Sequence, residues 1–447
     1  MHSQYFSRDR LSSRRPSCSA APVAAAASLL LAACSGDVVN LGENDAEPTP
    51  PRGALCQVST TFEGSIVVEN QEQLDELEGC EAINGDLEIL KFPSAHLRSL
   101  HALERVEGDL ILGSFPELSF AELLIGDDPP FEDLDAELER RAELNGWLAS
   151  LEGLERLEAA GNVTLEPGTV TSLEPLARLR YVTGTFSLIS SELETLAGLE
   201  TMRGFTSLHL EGERLRDITA LRLPQNMVML TLGGPIEAVN AEELESVTSL
   251  SLTTSLQNLD AFEHVGYAES VVIWSNIYLS NLDGLNGITW MRSLRISDND
   301  ALTTLPEFSS LQALEDLFIE GNENLRSIST FSGMIEQGVS PTGRGGYCLI
   351  EDNPRLEQLA LPTDWYRLLI LHINGNGALQ DFAMNYVGGI DGVQIQANGS
   401  LRHVDLGNLS TVNNLLLTNN PLLPSNAFDS VRTFDSHIEW NAPPTAP

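Results

Sequence analysis

The sequence predicts a repeat solenoid of about 16 coils wound around one long parallel β-sheet, with few helices. Three observations carry the prediction. The first is a short pattern of an apolar residue, a free position, Ile or Leu, two free positions and Asn. It reads VVIWSN at Val271, LRISDN at Leu294, LFIEGN at Leu317, CLIEDN at Cys348, LHINGN at Leu371, VQIQAN at Val393 and LLLTNN at Leu415. The asparagines are Asn276, Asn299, Asn322, Asn353, Asn376, Asn398, Asn420 and, in a decayed last copy, Asn441, spaced 21 to 23 residues apart except for one step of 31. A strand signal fixed to such a period marks stacked coils. The second observation is that the apolar, free, apolar core of the pattern extends back through Leu250, Leu230, Leu208, Phe186, Val163, Leu110, Leu87 and Ile66, with one gap of 53. The third is a rhythm of apolar residues at every third position ahead of most strands, as in Leu97, Leu100, Leu103, Val106 or Leu279, Leu282, Leu285, Ile288. Four positions at a period of three fit neither a strand nor a long α-helix, and predict 3₁₀-like segments. Because an array grows by adding coils, the 447 residues read as one elongated body.

Residues 1–33 read as an export segment. Arg14 and Arg15 precede an apolar run from Ala20 that is too short for a membrane span and ends in Leu31, Ala32, Ala33, Cys34. This ending resembles the lipobox of bacterial lipoproteins, which implies that Cys34 is lipidated and becomes the new N-terminus; an ordinary cleaved secretory signal is the alternative. Ser35 follows where that family's inner-membrane retention signal has Asp, so the resemblance implies an outer-membrane lipid anchor, on the periplasmic or the outer side. Residues 34–55, with Pro48, Pro50 and Pro51, have the composition of a tether. Cys56 and Cys80 bracket the first coil, and in an oxidising envelope they are expected to form a disulfide. Cys348 stands where neighbouring coils place Leu or Val, and reads as a buried thiol acting as a small hydrophobe.

Within each strand the paired positions, such as Leu208 with Leu210 or Leu294 with Ile296, point to one face and define the core. Gly near many strand starts, as in Asn84-Gly85-Asp86, Glu107-Gly108-Asp109, Thr183-Gly184-Thr185 and Arg203-Gly204-Phe205, supplies a sharp corner. The combination L-x-x-L-x-x-L-x-x-[IVM]-x-G followed by L-x-I-x-x-N resembles the leucine-rich repeats of the receptor L-domain family over residues 56–441. The resemblance implies a right-handed solenoid, an asparagine ladder inside the turns, and a role in binding rather than chemistry. Before Asn276 the ladder position holds Phe92, Phe115, Gly168, Ser191, Glu213, Pro235 and Ser255, so the N-terminal half is expected to have less regular turns. Buried amides at a repeated corner have a structural purpose of their own, since each offers donors and an acceptor to backbone groups of adjacent coils. Calcium is the competing idea, prompted by Asp298-Asn299-Asp300 and Glu351-Asp352-Asn353. It requires six to eight converging oxygens, and no complete loop motif supplies them.

Two insertions interrupt the period. Residues 116–147 contain Asp128-Pro129-Pro130, then Phe131, Leu134, Leu138 and Ala142 on one side of an amphipathic helix closed by Asn145-Gly146. Residues 331–346 contain the Gly338 to Gly346 loop. Residues 442–447 form a tail.

A formal charge of −39, from 25 Lys and Arg against 64 Asp and Glu, repels phosphate backbones and argues against nucleic acid as a partner. There is no phosphate-binding Gly-rich loop, no G-x-S-x-G and no H-E-x-x-H, and the eight histidines are scattered. The expectation is therefore a non-enzyme with no cofactor and no metal, and a monomer. The outward strand positions are more informative. One row reads Val272, Arg295, Phe318, Leu349, His372, Gln394, Leu416, and beside it run Trp274, Ser297, Glu320, Glu351, Asn374, Gln396, Thr418. An exposed sheet has no core reason to hold Trp274, Phe318 and Leu349, which together with Arg295 and His372 form the candidate binding face for a protein or glycan. β-propensity alone is the competing reason for such residues on strands. Two readings follow: a lipid-anchored binding or adhesion module of the cell envelope, or a structural envelope lipoprotein acting as a spacer without a specific ligand.

Overall fold

The computed structural model describes residues 53–114 and 147–424, except 58, 167, 191, 330–344, 362–367, 385–386 and 407, together with 39–40, 427, 432–433 and 439–440. Cys34, most of the expected tether, the 116–147 helix apart from Trp147, nearly all of the 331–346 loop, Asn441 and the tail lie outside the described residues.

Among the described residues an 18-stranded sheet runs the length of a parallel β-solenoid. Its strands begin at Ile66, Leu87, Leu110, Val163, Thr185, Ser207, Asn226, Ser246, Tyr267, Ser293, Asp316, Gly346, Leu368, Val387 and Asn408, each paired in parallel with the next. Val39–Asn40 adds a short strand beside Ile66 and Val67, and Arg432–Thr433 and Glu439–Trp440 both pair with Asn408–Thr418. The coil number roughly matches the repeat count. Inward positions align in register, Leu208 with Leu230 and Leu250, Ile273 with Ile296 and Ile319, and all are fully buried. Each such side chain contributes on the order of 1.5–3 kcal/mol by leaving water. Cys348 shares this core, and burial pushes its thiol far above the ordinary range.

The period-three positions are buried on the opposite wall of the coils. Four of these segments are 3₁₀ turns, at Arg98–Leu100, Glu174–Leu176, Asp260–Phe262 and Asp283–Leu285. The ends of two of them, Arg105–Val106 and Tyr181–Val182, and matching stretches of other coils form short strands that make a five-stranded sheet behind the N-terminal coils and a four-stranded sheet, Ser327–Ser329 to His403–Asp405, behind the C-terminal ones. The described residues contain one α-helix, Gln71–Asp75, whose start is capped by the Asn70 side chain accepting from Gln73 N. It lies between Cys56 and Cys80, which are disulfide-bonded with a Cα–Cα distance of 5.2 Å.

The C-terminal coils are joined by an unbroken amide ladder. The backbone N–H of each asparagine donates to the side-chain oxygen of the next: Asn276 to Asn299, Asn299 to Asn322, Asn322 to Asn353, Asn353 to Asn376, Asn376 to Asn398 and Asn398 to Asn420, at 3.0–3.2 Å. The amide nitrogens reach backward. Asn322 Nδ2 donates to Ile296 O of the preceding coil and to Glu320 O of its own, while contacting Asn353 Oδ1 of the next. One side chain thus ties three coils, and the 31-residue step between Asn322 and Asn353 leaves the ladder intact. The residue before each ladder asparagine is left-handed: Ser275, Asp298, Gly321, Asp352, Gly375, Ala397 and Asn419 have φ between 53° and 68°. At its N-terminal end the ladder stops on Thr254, whose N–H and hydroxyl both donate to Asn276 Oδ1. The repeat spacing points to Ser255 instead; the corner is one residue tighter than the later ones.

The N-terminal half uses a different corner. Gly108 N donates to Gly85 O, Gly161 N to Gly108 O and Gly184 N to Gly161 O, a column of backbone bonds along successive strand starts. A Cβ at Gly108 would lie 2.9 Å from the Gly85 carbonyl, so close approach rather than a positive φ selects glycine there. The residue after each glycine forms a second side-chain ladder: Asp86 N donates to Ser65 Oγ, Asp109 N to Asp86 Oδ1, Asn162 Nδ2 to Asp109 Oδ1 and Thr185 N to Asn162 Oδ1.

Candidate binding face

Side chains alternate along each strand, so the residues between the core positions form rows on the solvent side of the sheet. The parallel register places Val272, Arg295, Phe318, Leu349, His372, Gln394 and Leu416 in one row. Trp274, Ser297, Glu320, Glu351, Asn374, Gln396 and Thr418 form the row beside it. The five candidate residues therefore share one surface, with Trp274 in the neighbouring row to the other four. Trp274 is 52% exposed, while Phe318, Leu349 and His372 are half-buried between their neighbours.

The polar groups of the face are engaged with one another. The Arg295 guanidinium lies 4.5 Å from the Phe318 ring centroid and 3.8 Å from Glu320. Trp274 Nε1 donates to Asp298 Oδ2 on the next coil at 2.9 Å. Glu351 takes Asn374 Nδ2 at 2.7 Å and faces His372 Nδ1 at 3.2 Å. Further along, Gln396 Nε2 donates to Thr418 Oγ1 and Gln396 N to Asn374 Oδ1. The C-terminal end of the face is thus a neutral amide strip, and the aromatic part lies between Trp274 and His372.

One row position departs from expectation. Ser297 stands on the outward side yet is only 5% exposed, and its Oγ has no hydrogen-bond partner among the described residues. The indole of Trp274, bonded to Asp298 beside it, bridges toward this strand.

The alternation also brings in residues that the repeat pattern hides, because that pattern begins at the first core position of each strand. Tyr347, two residues before Leu349, is 43% exposed on the same side of the strand Gly346–Glu351, and is paired with Ile370 on the next coil. Continuing the period of two backward from Leu349 would have found it. Tyr347 N donates to Asp316 Oδ1 at 3.0 Å. Burial pushes the Asp316 carboxyl above the usual carboxylate range; that hydrogen bond pulls the other way.

The chain matches no family model and no curated protein. Its solenoid is similar to solved structures. A leucine-rich repeat protein of Leptospira interrogans is 17% identical, with 76% of this chain and 90% of that one covered and a TM-score of 0.36. An internalin, InlF, of Listeria monocytogenes is 16% identical, with 83% and 89% covered and a TM-score of 0.34. TLR13, solved in complex with ssRNA13, is 12% identical, with 84% and 78% covered and a TM-score of 0.31. The fold, by its own strand pairing, is a parallel β-solenoid. At identities and scores this low the similarities carry no argument about ligand, and the site rests on this chain's own geometry.

The acidic turn residues that prompted the calcium idea have structural positions. Asp298 bonds Trp274, and the Asp298 and Asp352 side chains lie where a Cβ on Gly321 or Gly375 of the next coil would fall. Among the described residues no group of three His, Cys, Asp or Glu side chains is placed to hold a metal ion. A cleft elsewhere is lined by Lys91, Trp147, Glu166, Ile189, Glu211 and Glu213 at the ladder-free corners, with Lys91 paired to Glu166 at 2.7 Å.

Proposed function

We propose that this chain is a binding module, held at the cell envelope by a lipid on Cys34, whose contact surface is the sheet face from Trp274 to His372 with Tyr347 added. The observation that carries the reading is the placement of Trp274, Phe318, Tyr347, Leu349 and Ile370 on the solvent side of adjacent strands, in a protein of formal charge −39. Apolar groups gathered there cost solubility and add nothing to the core, and a partner would bury them. The repeat motif's resemblance to receptor L-domains supports the same reading, and no catalytic role is proposed.

The test is capture by the full chain from envelope and surface extracts. Replacing Trp274 and Phe318 together by Ala should abolish capture while the chain still melts cooperatively, at a midpoint lowered only by the lost Trp274–Asp298 bond and Arg295–Phe318 contact. Capture unaffected by the pair would move the contact surface elsewhere, and a chain that enriches nothing would be a spacer. The anchor is tested separately, since Cys34→Ser should lose detergent-phase partitioning.

A further inference from the structure

We propose that the partner of this face is a protein segment in extended conformation that presents arginine or lysine among apolar residues; this rests on the binding-face reading above. The face already contains a stand-in for such a ligand. Arg295 sets its guanidinium 4.5 Å from the Phe318 centroid and 3.8 Å from Glu320, so aromatic surface and carboxylate together hold a planar cation here. One coil further on, Leu349, Tyr347 and Glu351 repeat the arrangement of apolar or aromatic surface beside a carboxylate. The residue that follows Phe318 and Leu349 in the row is His372, so no fixed positive charge serves that second coil from within the row.

Charge points the same way. Glu320 and Glu351 are directly opposite in register on neighbouring strands, an arrangement of like charges that destabilises a sheet unless a cation is supplied. Among the described residues of the two rows Arg295 alone carries a fixed positive charge, and it is reached only by Glu320. Glu351 is bonded by a neutral amide and faces a histidine, which carries charge only when protonated, so no guanidinium or ammonium is paired with it among the described residues. Ser297, next to Glu320 in the same row, adds a buried hydroxyl with no partner among the described residues. A guanidinium entering between the carboxylates would satisfy both, with Phe318, Leu349 and Tyr347 covering the apolar flanks. The formal charge of −39 would speed the approach of such a segment and repel an acidic one.

The experiment uses the full chain and a fluorescent peptide, Gly-Ser-Leu-Arg-Leu-Arg-Leu-Ser-Gly, titrated at low and at moderate salt. Its comparator is the same peptide with citrulline in place of both arginines, which keeps shape and hydrogen bonding and removes the charge. The arginine peptide should bind saturably, with the citrulline peptide weaker by about tenfold or more. Glu320→Gln combined with Glu351→Gln should weaken the arginine peptide by a similar factor. Glu174→Gln combined with Glu263→Gln removes two exposed carboxylates on the tight segments away from the face, and should leave binding unchanged. Equal affinity in both double variants would overturn the proposal, because it would mean general attraction to an acidic protein. No saturable binding, or equal binding of the citrulline peptide, would overturn it as well. Chitohexaose, read by the tryptophan fluorescence change that the parent shows and Trp274→Phe lacks, separates the two levels: such a response, lost in Phe318→Ala, with no arginine-peptide binding, would keep the binding face and reject the cationic partner.

Discussion

Removing one amide from the ladder tests how the coils are held together. Asn322 Nδ2 donates to Ile296 O and Glu320 O at 3.0 Å each, and Asn322 Oδ1 accepts from Asn299 N at 3.1 Å. Asn322→Ala takes away these three bonds together with the amide–amide contacts to Asn353 Oδ1 and from Asn299 Nδ2, in a place fully closed to water. A buried backbone group left unpaired costs about 1–3 kcal/mol, and a carbonyl with a second lone pair in use loses less. Counting the Asn299 N–H and one carbonyl in full gives a loss of about 2–6 kcal/mol. Asn322→Asp keeps the acceptor, removes the donor and buries a charge, so it should be at least as damaging. Asn324 is an unsuitable silent control, because its Nδ2 donates to Asp300 O and its Oδ1 accepts from Arg355. Asn324→Ala should cost about 1 kcal/mol. Asn414 is exposed, and Asn414→Ala should stay within about 0.5 kcal/mol of the parent. Urea unfolding followed by far-UV circular dichroism and tryptophan fluorescence measures all four. Coincident midpoints for Asn322→Ala and Asn414→Ala would refute the ladder as a source of stability.

The left-handed corner makes Ala397→Gly stabilising: it relieves about 1–2 kcal/mol of strain against about 0.4–1 kcal/mol of added chain entropy, and thermal melting should show a small upward shift. Gly375→Ala should do the reverse and more, because its φ is 68° and the new methyl would meet Asp352 Oδ1. Replacing Cys56 and Cys80 by Ser opens a link across 24 residues and should destabilise the first coils by about 3.5 kcal/mol in the chain-entropy model, seen as early protease cleavage near the N-terminal coil. Asp316→Asn should stabilise at neutral pH. Burial raises the folded carboxyl above the usual carboxylate range, so the stability of its protonated form is fully present below the unfolded pKa and is lost as pH rises through the folded one. The advantage of Asn should therefore vanish in acid, and an advantage independent of pH would contradict the burial argument.

The solenoid, the register of its sheet, the position of the asparagine ladder and the two rows of the outward face are all legible in the amino-acid sequence. The physical reason is that each of these repeats locally. A strand exposes one set of side chains and buries the other at a period of two, a buried amide has to recur wherever the same corner recurs, and stacking in parallel register carries both from coil to coil. What depends on distances between coils emerges only from the folded chain. The glycine column of the N-terminal half exists because Gly85, Gly108 and Gly161 carbonyls approach the next strand start, which spacing cannot show. The ladder ends at Thr254 rather than Ser255 because one corner is a residue tighter. Ser297 is covered on an outward face, and Tyr347 joins that face, through side chains reaching across strands whose lengths the repeat pattern does not specify. The engagement of Arg295 with Phe318 and Glu320, and the unbalanced pair Glu320 and Glu351, likewise follow from which side chains meet, a matter of packing in three dimensions rather than of period.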